Sequence, residues 1–340
     1  MSEFCGIVLC FLSWITCQLS DFRREVEAQR KLEADHEAIV NSFFIDGWPV
    51  DEVSLDLREM LRGRLYTPVV MVYIDEAALD RVDWDHLRSF RYLESLTLRK
   101  CRLEPGMGAD FSTFHHLEWL HVNGTVLTIY DIRTLTGLSR LRTLDLFDAG
   151  VRDDWMKHIT ELRRLRSLNI QGDVSDAGIE ALDALTKLHR LFLPRTQITS
   201  KSAATIARLR RLRDLSLSHT RIDDKFLEQL STLPDLRYLY LTGTNISDRG
   251  LMHLATLDSL EGLFLEDTAV TDTGLRHLGR LPRLQRLDLS GTRVSKAAIC
   301  ILREFPSLKS VRAANTKIEG PESEYVDLKD RSQWTPPQKP

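Results

Sequence analysis

Apolar residues recur along the middle of the chain at a fixed interval. From Leu212 to Ser307 four 24-residue blocks follow one another: LRDLSLSHTRIDDKFLEQLSTLPD, LRYLYLTGTNISDRGLMHLATLDS, LEGLFLEDTAVTDTGLRHLGRLPR and LQRLDLSGTRVSKAAICILREFPS. Each is apolar at offsets 0, 3 and 5, has Thr at offset 8 and Ile or Val at offset 10. Self-similarity at a fixed period marks a stacked solenoid and outranks local propensity. Counting outward puts unit starts at Val69, Leu93, Leu117, Leu141, Leu165, Leu188, Leu212, Leu236, Leu260, Leu284 and Leu308, eleven in all. The spacing is 24 throughout except from Leu165 to Leu188, where the turn QGDVSD has lost one residue.

The pattern within a unit predicts its parts. Offsets 3 and 5 point inward and offsets 2 and 4 outward, the period of a short strand. Successive strands would stack as a parallel sheet about 4.8 Å apart. The threonines at offset 8 (Thr196, Thr220, Thr244, Thr268, Thr292 and Thr316) suit hydrogen bonds to backbone left bare by the turn. Aspartates at offset 12, in Asp153, Asp224, Asp248 and Asp272, are expected to cap a short outer helix. The apolar residues of that helix, Leu251, Leu254 and Leu257 in one unit, would pack back on the sheet. The fold needs all of these residue types, so none points to catalysis. The segment EPGMGAD, with Pro105, Gly106 and Gly108, argues against an outer helix in the unit from Leu93.

The flanks lack the repeat. Phe4 to Leu19 is sixteen residues without a charge. As a helix it would be about 24 Å long, short of the roughly 30 Å hydrocarbon core. Only Ser2 and Glu3 precede it, unlike the basic start of a secretion signal, and Trp14, Ile15 and Thr16 do not suit a lipoprotein site at Cys17. Two readings stay open, a marginal membrane anchor or an apolar helix packed on the solenoid. Arg23, Arg24, Arg30 and Lys31 favour a cytoplasmic C-terminal side if it is an anchor. Asp21 to Phe44 is charged and free of Gly and Pro, which predicts a helix. Gly47, Trp48 and Pro49 break it, and Val53 to Leu65 predicts a second, together forming a cap on the open end of the array. The resulting domains are an anchor or signal-like helix over 1–20, a helical cap over 21–67, a solenoid over 68–318 and a polar, disordered tail over 319–340.

Composition changes this picture little. A net charge of −3 and a pI near 6.4 give no global pull toward nucleic acid or anionic membrane, and 43% apolar with 28% charged residues fits a folded body. Of the five cysteines, Cys5, Cys10 and Cys17 lie in the N-terminal apolar run. Cys101 takes an offset-8 position and Cys300 an outer segment, both read as small buried residues. There is no CxxC pair to suggest zinc or thiol redox chemistry.

The pattern LxxLxLxxTxI followed by xDxGLxxLxxL, from Val69 to Ile318, resembles the leucine-rich repeat family. The Thr and DxGL steps are similar to the 24-residue bacterial units of planctomycete proteins, related to the cysteine-containing subtype of F-box proteins. The resemblance implies an α/β right-handed leucine-rich repeat solenoid with a curved parallel sheet on its concave face, short helices on its convex face and an N-terminal helical cap. It further implies a non-enzymatic protein-binding scaffold, often membrane-tethered, with no cofactor and no catalytic residues.

In such a solenoid ligands meet the outward residues at offsets 2, 4, 6 and 7. Those positions hold Phe192, Tyr238, Tyr240 and Phe264 within four neighbouring units, flanked by Arg190, Arg195, Arg237, Glu266 and Asp267. Aromatics among charges are the composition of an interface hot spot. The competing reading is that the rings cover one another and stiffen the sheet. A second candidate patch is Trp119 and His121 with Asp145, Phe147 and Asp148. His158, His253 and His277 share offset 17 without a third ligand at that register, and His115 and His116 flank a strand, so no metal site is expected. The basic runs ELRRLR and ARLRRLR are interrupted by Asp145, Asp214 and Asp288 and read as a solvated edge, not a nucleic-acid track. Phosphate loops, GxSxG and HExxH are absent from the sequence.

These features predict a non-enzymatic scaffold that binds a protein or peptide on its concave face and is tethered to a membrane through residues 4–19, with a cytoplasmic protein as the alternative. Two alternatives remain: the substrate-recognition subunit of a ubiquitin-ligase complex or a secreted effector of that kind, and a structural cell-envelope protein. The first needs an F-box, and IDGWPVDEVSLDLREMLRGRL lacks its usual Leu-Pro start.

Overall fold

The computed structural model describes residues 69–104, 109–279 and 281–318, together with Glu27, Lys31, Ile39–Ser42 and Val326–Asp327. The chain forms two compact units, Met1–Leu144 and Asp145–Pro340.

The first unit contains β1 (Ile39–Ser42), β2 (Val69–Asp75), β3 (Ala78–Leu79), β4 (Ser95–Arg99), β5 (Arg102–Leu103) and β6 (Trp119–Asn123). β2, β4 and β6 are parallel and in the register the repeat dictates, Val72 against Leu96 and Leu96 against Leu120. Helix α1 (Arg81–Arg88) starts at a capping box in which the Asp83 amide donates to Asp80 and the Asp80 amide donates to Asp83. Buried Trp84 meets Phe111 and Phe114 edge-on, at 5.2 and 5.9 Å between ring centres. Phe111–Thr113 is a single 3₁₀ turn, which agrees with the poor helix signal there, while residues 105–108 lie outside the described residues.

One expectation fails in this unit. Glu27 and Lys31 are helical, but Ile39–Ser42, inside the predicted helix, is a strand paired antiparallel to β2. β2 is the first strand of the array and would otherwise show a bare edge of N–H and C=O groups. A short segment beginning with β-branched Ile39 and Val40 satisfies that edge, which a helix cannot do. The rest of the predicted cap and the Phe4 to Leu19 run lie outside the described residues.

The boundary between the units falls within β7 (Thr143–Arg152). The second unit continues with β8 (Ser167–Asp173), β9 (Arg190–Phe192), β10 (Asp214–Ser216), β11 (Tyr238–Tyr240), β12 (Gly262–Phe264), β13 (Arg286–Asp288), β14 (Ser310–Arg312) and β15 (Val326–Asp327). From β8 to β14 the pairing is parallel, with Leu168, Leu191, Leu215, Leu239, Leu263, Leu287 and Val311 in one buried row. Val326–Asp327, in the segment expected to be disordered, instead pairs antiparallel with β14 and covers that edge.

A left-handed residue at offset 7 turns the chain out of β9 to β14: Arg195, His219, Asp267 and Asn315 have φ of 55–58°, and Gly243 and Gly291 have φ of 66°. Glycine is required at Gly243 because a Cβ there would press on the His219 ring, which leans across from the preceding repeat. In the repeat from Leu165 no residue of this turn has positive φ, so the missing residue is a missing left-handed turn. The threonines behave as expected: each is buried, and Thr196, Thr220, Thr244, Thr268, Thr292 and Thr316 donate to the carbonyl three residues back, at 2.5–2.9 Å.

The offset-12 aspartates do not cap their own helices. The cap lies one residue earlier, at Asp223, Ser247 and Thr271, ahead of helices Asp224–Leu230, Asp248–Leu254 and Asp272–Leu278. A capping residue must be extended, whereas each offset-12 aspartate is already the first helical residue. Its carboxylate reaches the next repeat instead. Asp224 accepts the Ser247 amide at 2.8 Å and its hydroxyl at 2.5 Å, Asp248 accepts both from Thr271 at 2.8 and 2.6 Å, and Asp272 accepts both from Ser295. Asp153 serves Ser175 and Asp176 serves Thr199 in the same way. Between Ser200 and Asp223 the pair is reversed, with the hydroxyl on the earlier repeat. This ladder also explains the glycine of the DxG step: a Cβ at Gly250 would lie 2.5 Å from Asp224 Oδ1. For Asp176, burial opposes ionisation, but hydrogen bonds from Ser202 and Thr199 outweigh it and hold the carboxyl below its usual range.

Cys101 is buried, and burial pushes its thiol up, as suits an inert core residue. Cys300 is exposed, contrary to expectation, because it sits on the solvent side of the short helix Ala298–Leu302, whose Ala298, Ile301 and Leu302 face inward.

Candidate functional site

The 24-residue register dictates what stands beside what on the strand face of the second unit. At offset 4 the row is Phe192, Ser216, Tyr240, Phe264, Asp288, Arg312, each paired with the next across neighbouring strands. Ser216 is small, so the rings of Phe192 and Tyr240 meet across it, 6.2 Å apart and edge-to-face. Tyr240 and Phe264 are direct neighbours and stack at 4.3 Å with an interplanar angle of 7°. At offset 2 the row is Arg190, Asp214, Tyr238, Gly262, Arg286. Tyr238 lies over Gly262, where a Cβ would come within 2.6 Å of its ring, and its hydroxyl donates to Glu261 at 3.3 Å.

Phe192, Tyr238, Tyr240 and Phe264 are thus brought together, but as half-buried rings rather than exposed ones. Both readings of the pattern are partly realised, since the rings cover one another on their flanks and leave an outer surface. The two stacked rings restrict one another's rotamers, so a contact made there would cost little in ordering. Burial, with the nearby Asp214 and Tyr238, raises the Tyr240 phenol, so it remains a neutral donor.

Charges frame the rings. Arg190 pairs with Asp214 at 3.1 Å, and burial raises the Asp214 carboxyl despite the arginines around it. Arg237 pairs with Glu261 at 3.6 Å. Asp288 is buried, accepts the Ser290 amide at 3.0 Å and pairs with Arg312 at 3.5 Å. Arg195 and Asp267 are exposed on the left-handed turns, and Glu266 is half-buried beside the latter. The sequence pattern flagged Asp214 and Asp288 only as interruptions of a basic track. Reading offsets 2 and 4 as continuous rows would have placed Asp214 beside Tyr238, within the aromatic cluster, and Asp288 at its end beside Phe264.

The second candidate patch divides between the units. In the first unit Trp119 is 37% exposed and His121 half-buried on β6, beside Ser95 and Thr97 of β4. In the second unit Phe147 is 42% exposed on β7, its amide donating to Asp145 at 3.1 Å. The basic runs behave as an edge: Arg163 donates to the Ala184 carbonyl, Arg210 to that of Thr232, and Arg208 pairs with Asp183 at 3.3 Å.

Short parallel strands in a 24-residue register, each followed by an outer helical turn, define a solenoid of leucine-rich repeats. The chain belongs to the leucine-rich repeat family, whose family model, described as a leucine-rich repeat region, matches residues 77–326. Among solved structures it is similar to an internalin from Listeria monocytogenes, at 19% identity and a TM-score of 0.52, covering 79% of this chain and 92% of that one. It is also similar to a TDR receptor, at 14% identity and a TM-score of 0.47, covering 72% of this chain and 46% of the receptor. No curated protein matches the sequence.

Proposed function

We propose that the chain is a non-enzymatic interaction scaffold that binds a protein or peptide through the strand face of its second unit, with Phe192, Tyr238, Tyr240 and Phe264 as anchors and Arg190 and Arg195 beside them. The observation that carries this is the Phe192–Tyr240–Phe264 ring row, held at 6.2 and 4.3 Å in a repeat array whose neighbouring repeats have no such rings. The rings are half-buried and leave only their outer surface free, so they would form a preformed anchor within a standard interface of roughly 800 Å² per side, with the flanking residues supplying much of the area. Trp119, His121 and Phe147 belong to the same proposal as weaker contacts. The finer family reading, 24-residue bacterial units, rests on the Thr and DxG steps, and tethering rests on the uncharged run from Phe4 to Leu19.

The test is panning of a displayed random-peptide library on the full chain and on the Y238A/Y240A/F264A variant. The parent should enrich peptides that the variant no longer binds, while circular dichroism shows the variant folded. Equal binding of the enriched peptides to both would refute the reading.

A further inference from the structure

Beside the aromatic row runs a ledge made by the turns that leave the strands. Backbone hydrogen bonds from Arg195 to Ser218 (2.9 Å), His219 to Thr242 (2.7 Å) and Gly243 to Glu266 (2.8 Å) join offset 7 of each repeat to offset 6 of the next. Along this ledge the first repeat presents Arg195 and the fourth presents Glu266 and Asp267. Between them stand Ser218, His219, Thr242 and Gly243, with the His219 ring lying over Gly243. Among the described residues no ion pair engages Arg195, Glu266 or Asp267, in contrast to Arg190 and Arg237 nearby. The ledge is therefore bipolar, with one basic end and one acidic end, and the Tyr240–Phe264 stack lies alongside its third and fourth repeats, toward the acidic end.

Building on the proposed scaffold role, we infer that the ligand is an extended peptide crossing the strands, with an apolar residue on the Tyr240–Phe264 stack, an acidic residue at Arg195 and a basic residue at Glu266 and Asp267. Three inter-strand steps of about 4.8 Å separate the two ends, roughly 14 Å. An extended chain at about 3.3 Å per residue covers that in four to five positions. Like-charged peptides of the same length would bring one end against a repelling group. Exposed charges each contribute modestly, so the discrimination expected is about three- to tenfold rather than absolute. It should weaken with added salt.

The charge swaps that test this are tolerated by the backbone. Glu76 and Lys100 already occupy the same left-handed turn position in other repeats, at φ of 52° and 51°, so Arg195→Glu and Asp267→Lys impose no new strain. Three labelled, end-blocked peptides, Asp-Ala-Ala-Trp-Lys, Asp-Ala-Ala-Trp-Asp and Lys-Ala-Ala-Trp-Lys, are titrated by fluorescence anisotropy against the full chain, R195E, D267K with Glu266→Lys, and Y240A/F264A. The parent should prefer the mixed peptide, R195E the doubly basic one, and the E266K/D267K variant the doubly acidic one. The same ranking in all charge variants, or no binding of the mixed peptide to the parent, overturns the inference. If the ranking is unchanged while Y240A/F264A abolishes binding, the scaffold reading stands alone; if the parent binds the mixed peptide and Y240A/F264A binds it equally well, the scaffold reading itself fails.

Discussion

The outer rim and the strand face of the second unit are built from the same repeats and follow opposite rules. On the rim, Asp153, Asp176, Asp224, Asp248 and Asp272 each accept from a Ser or Thr of the next repeat, and the arrangement recurs with little change. On the strand face no outward position keeps one residue type from repeat to repeat. Position offset 4 is Phe192, Ser216, Tyr240, Phe264, Asp288 and Arg312 in turn. What recurs supports stacking, where each repeat must meet the next identically. What varies is released from stacking and can be shaped to a ligand.

The largest effects should come from the rim. Asp224→Ala leaves the Ser247 amide and hydroxyl without their partner and should lower stability by about 2–3 kcal/mol in a urea titration. Gly250→Ala should cost about 2 kcal/mol, even though alanine is the better helix former by about 1 kcal/mol, because its Cβ meets Asp224. The two changes should not add. With Asp224 gone the closest collision is gone and only the tight contacts with Leu227 and Ile246, at 3.0 and 3.2 Å, remain, so Gly250→Ala should cost less in D224A than in the parent.

On the strand face the stability effect should be smaller. Tyr240→Ala or Phe264→Ala removes the stacked pair and should cost about 1 kcal/mol beyond the lost burial of one partly exposed ring, with the fold retained. A value as large as that of the rim would mean that the ring row is mainly structural.

The smallest effect is on the pH dependence. The Asp176 carboxyl lies below its unfolded value, so its contribution is present above the ordinary carboxylate range and is lost as pH falls through the folded value. Asp176→Asn should therefore reduce the loss of stability on acidification below about pH 4, while leaving the neutral-to-alkaline profile flat.

The sequence made the repeat register legible because apolar residues at offsets 0, 3 and 5, mostly leucine, are required in every unit. The buried threonines were legible for the same reason, whereas the left-handed turn at offset 7 was not, since Arg195, His219, Gly243, Asp267, Gly291 and Asn315 fill it with different residue types. The ladder was misread as helix capping because Asp at a helix start serves either role in sequence, and only the neighbouring repeat, 23 residues away, distinguishes them. The edge strands Ile39–Ser42 and Val326–Asp327 were missed because they answer to a need of the array's ends and not to a periodic signal of their own. Of the site, membership of the ring cluster was legible from offsets 2 and 4. Its stacking was not, since that depends on Ser216 and Gly262 being small beside the rings.

The most direct measurement compares one peptide, selected on the parent chain, for its affinity to Y240A/F264A and to D224A at a temperature where both variants are folded. Loss of anchors at the centre of an interface should weaken binding to Y240A/F264A by about 30-fold or more, whereas D224A, though less stable, should bind within about twofold of the parent. Equal affinities for the two variants would contradict the division between a rim that folds and a face that binds.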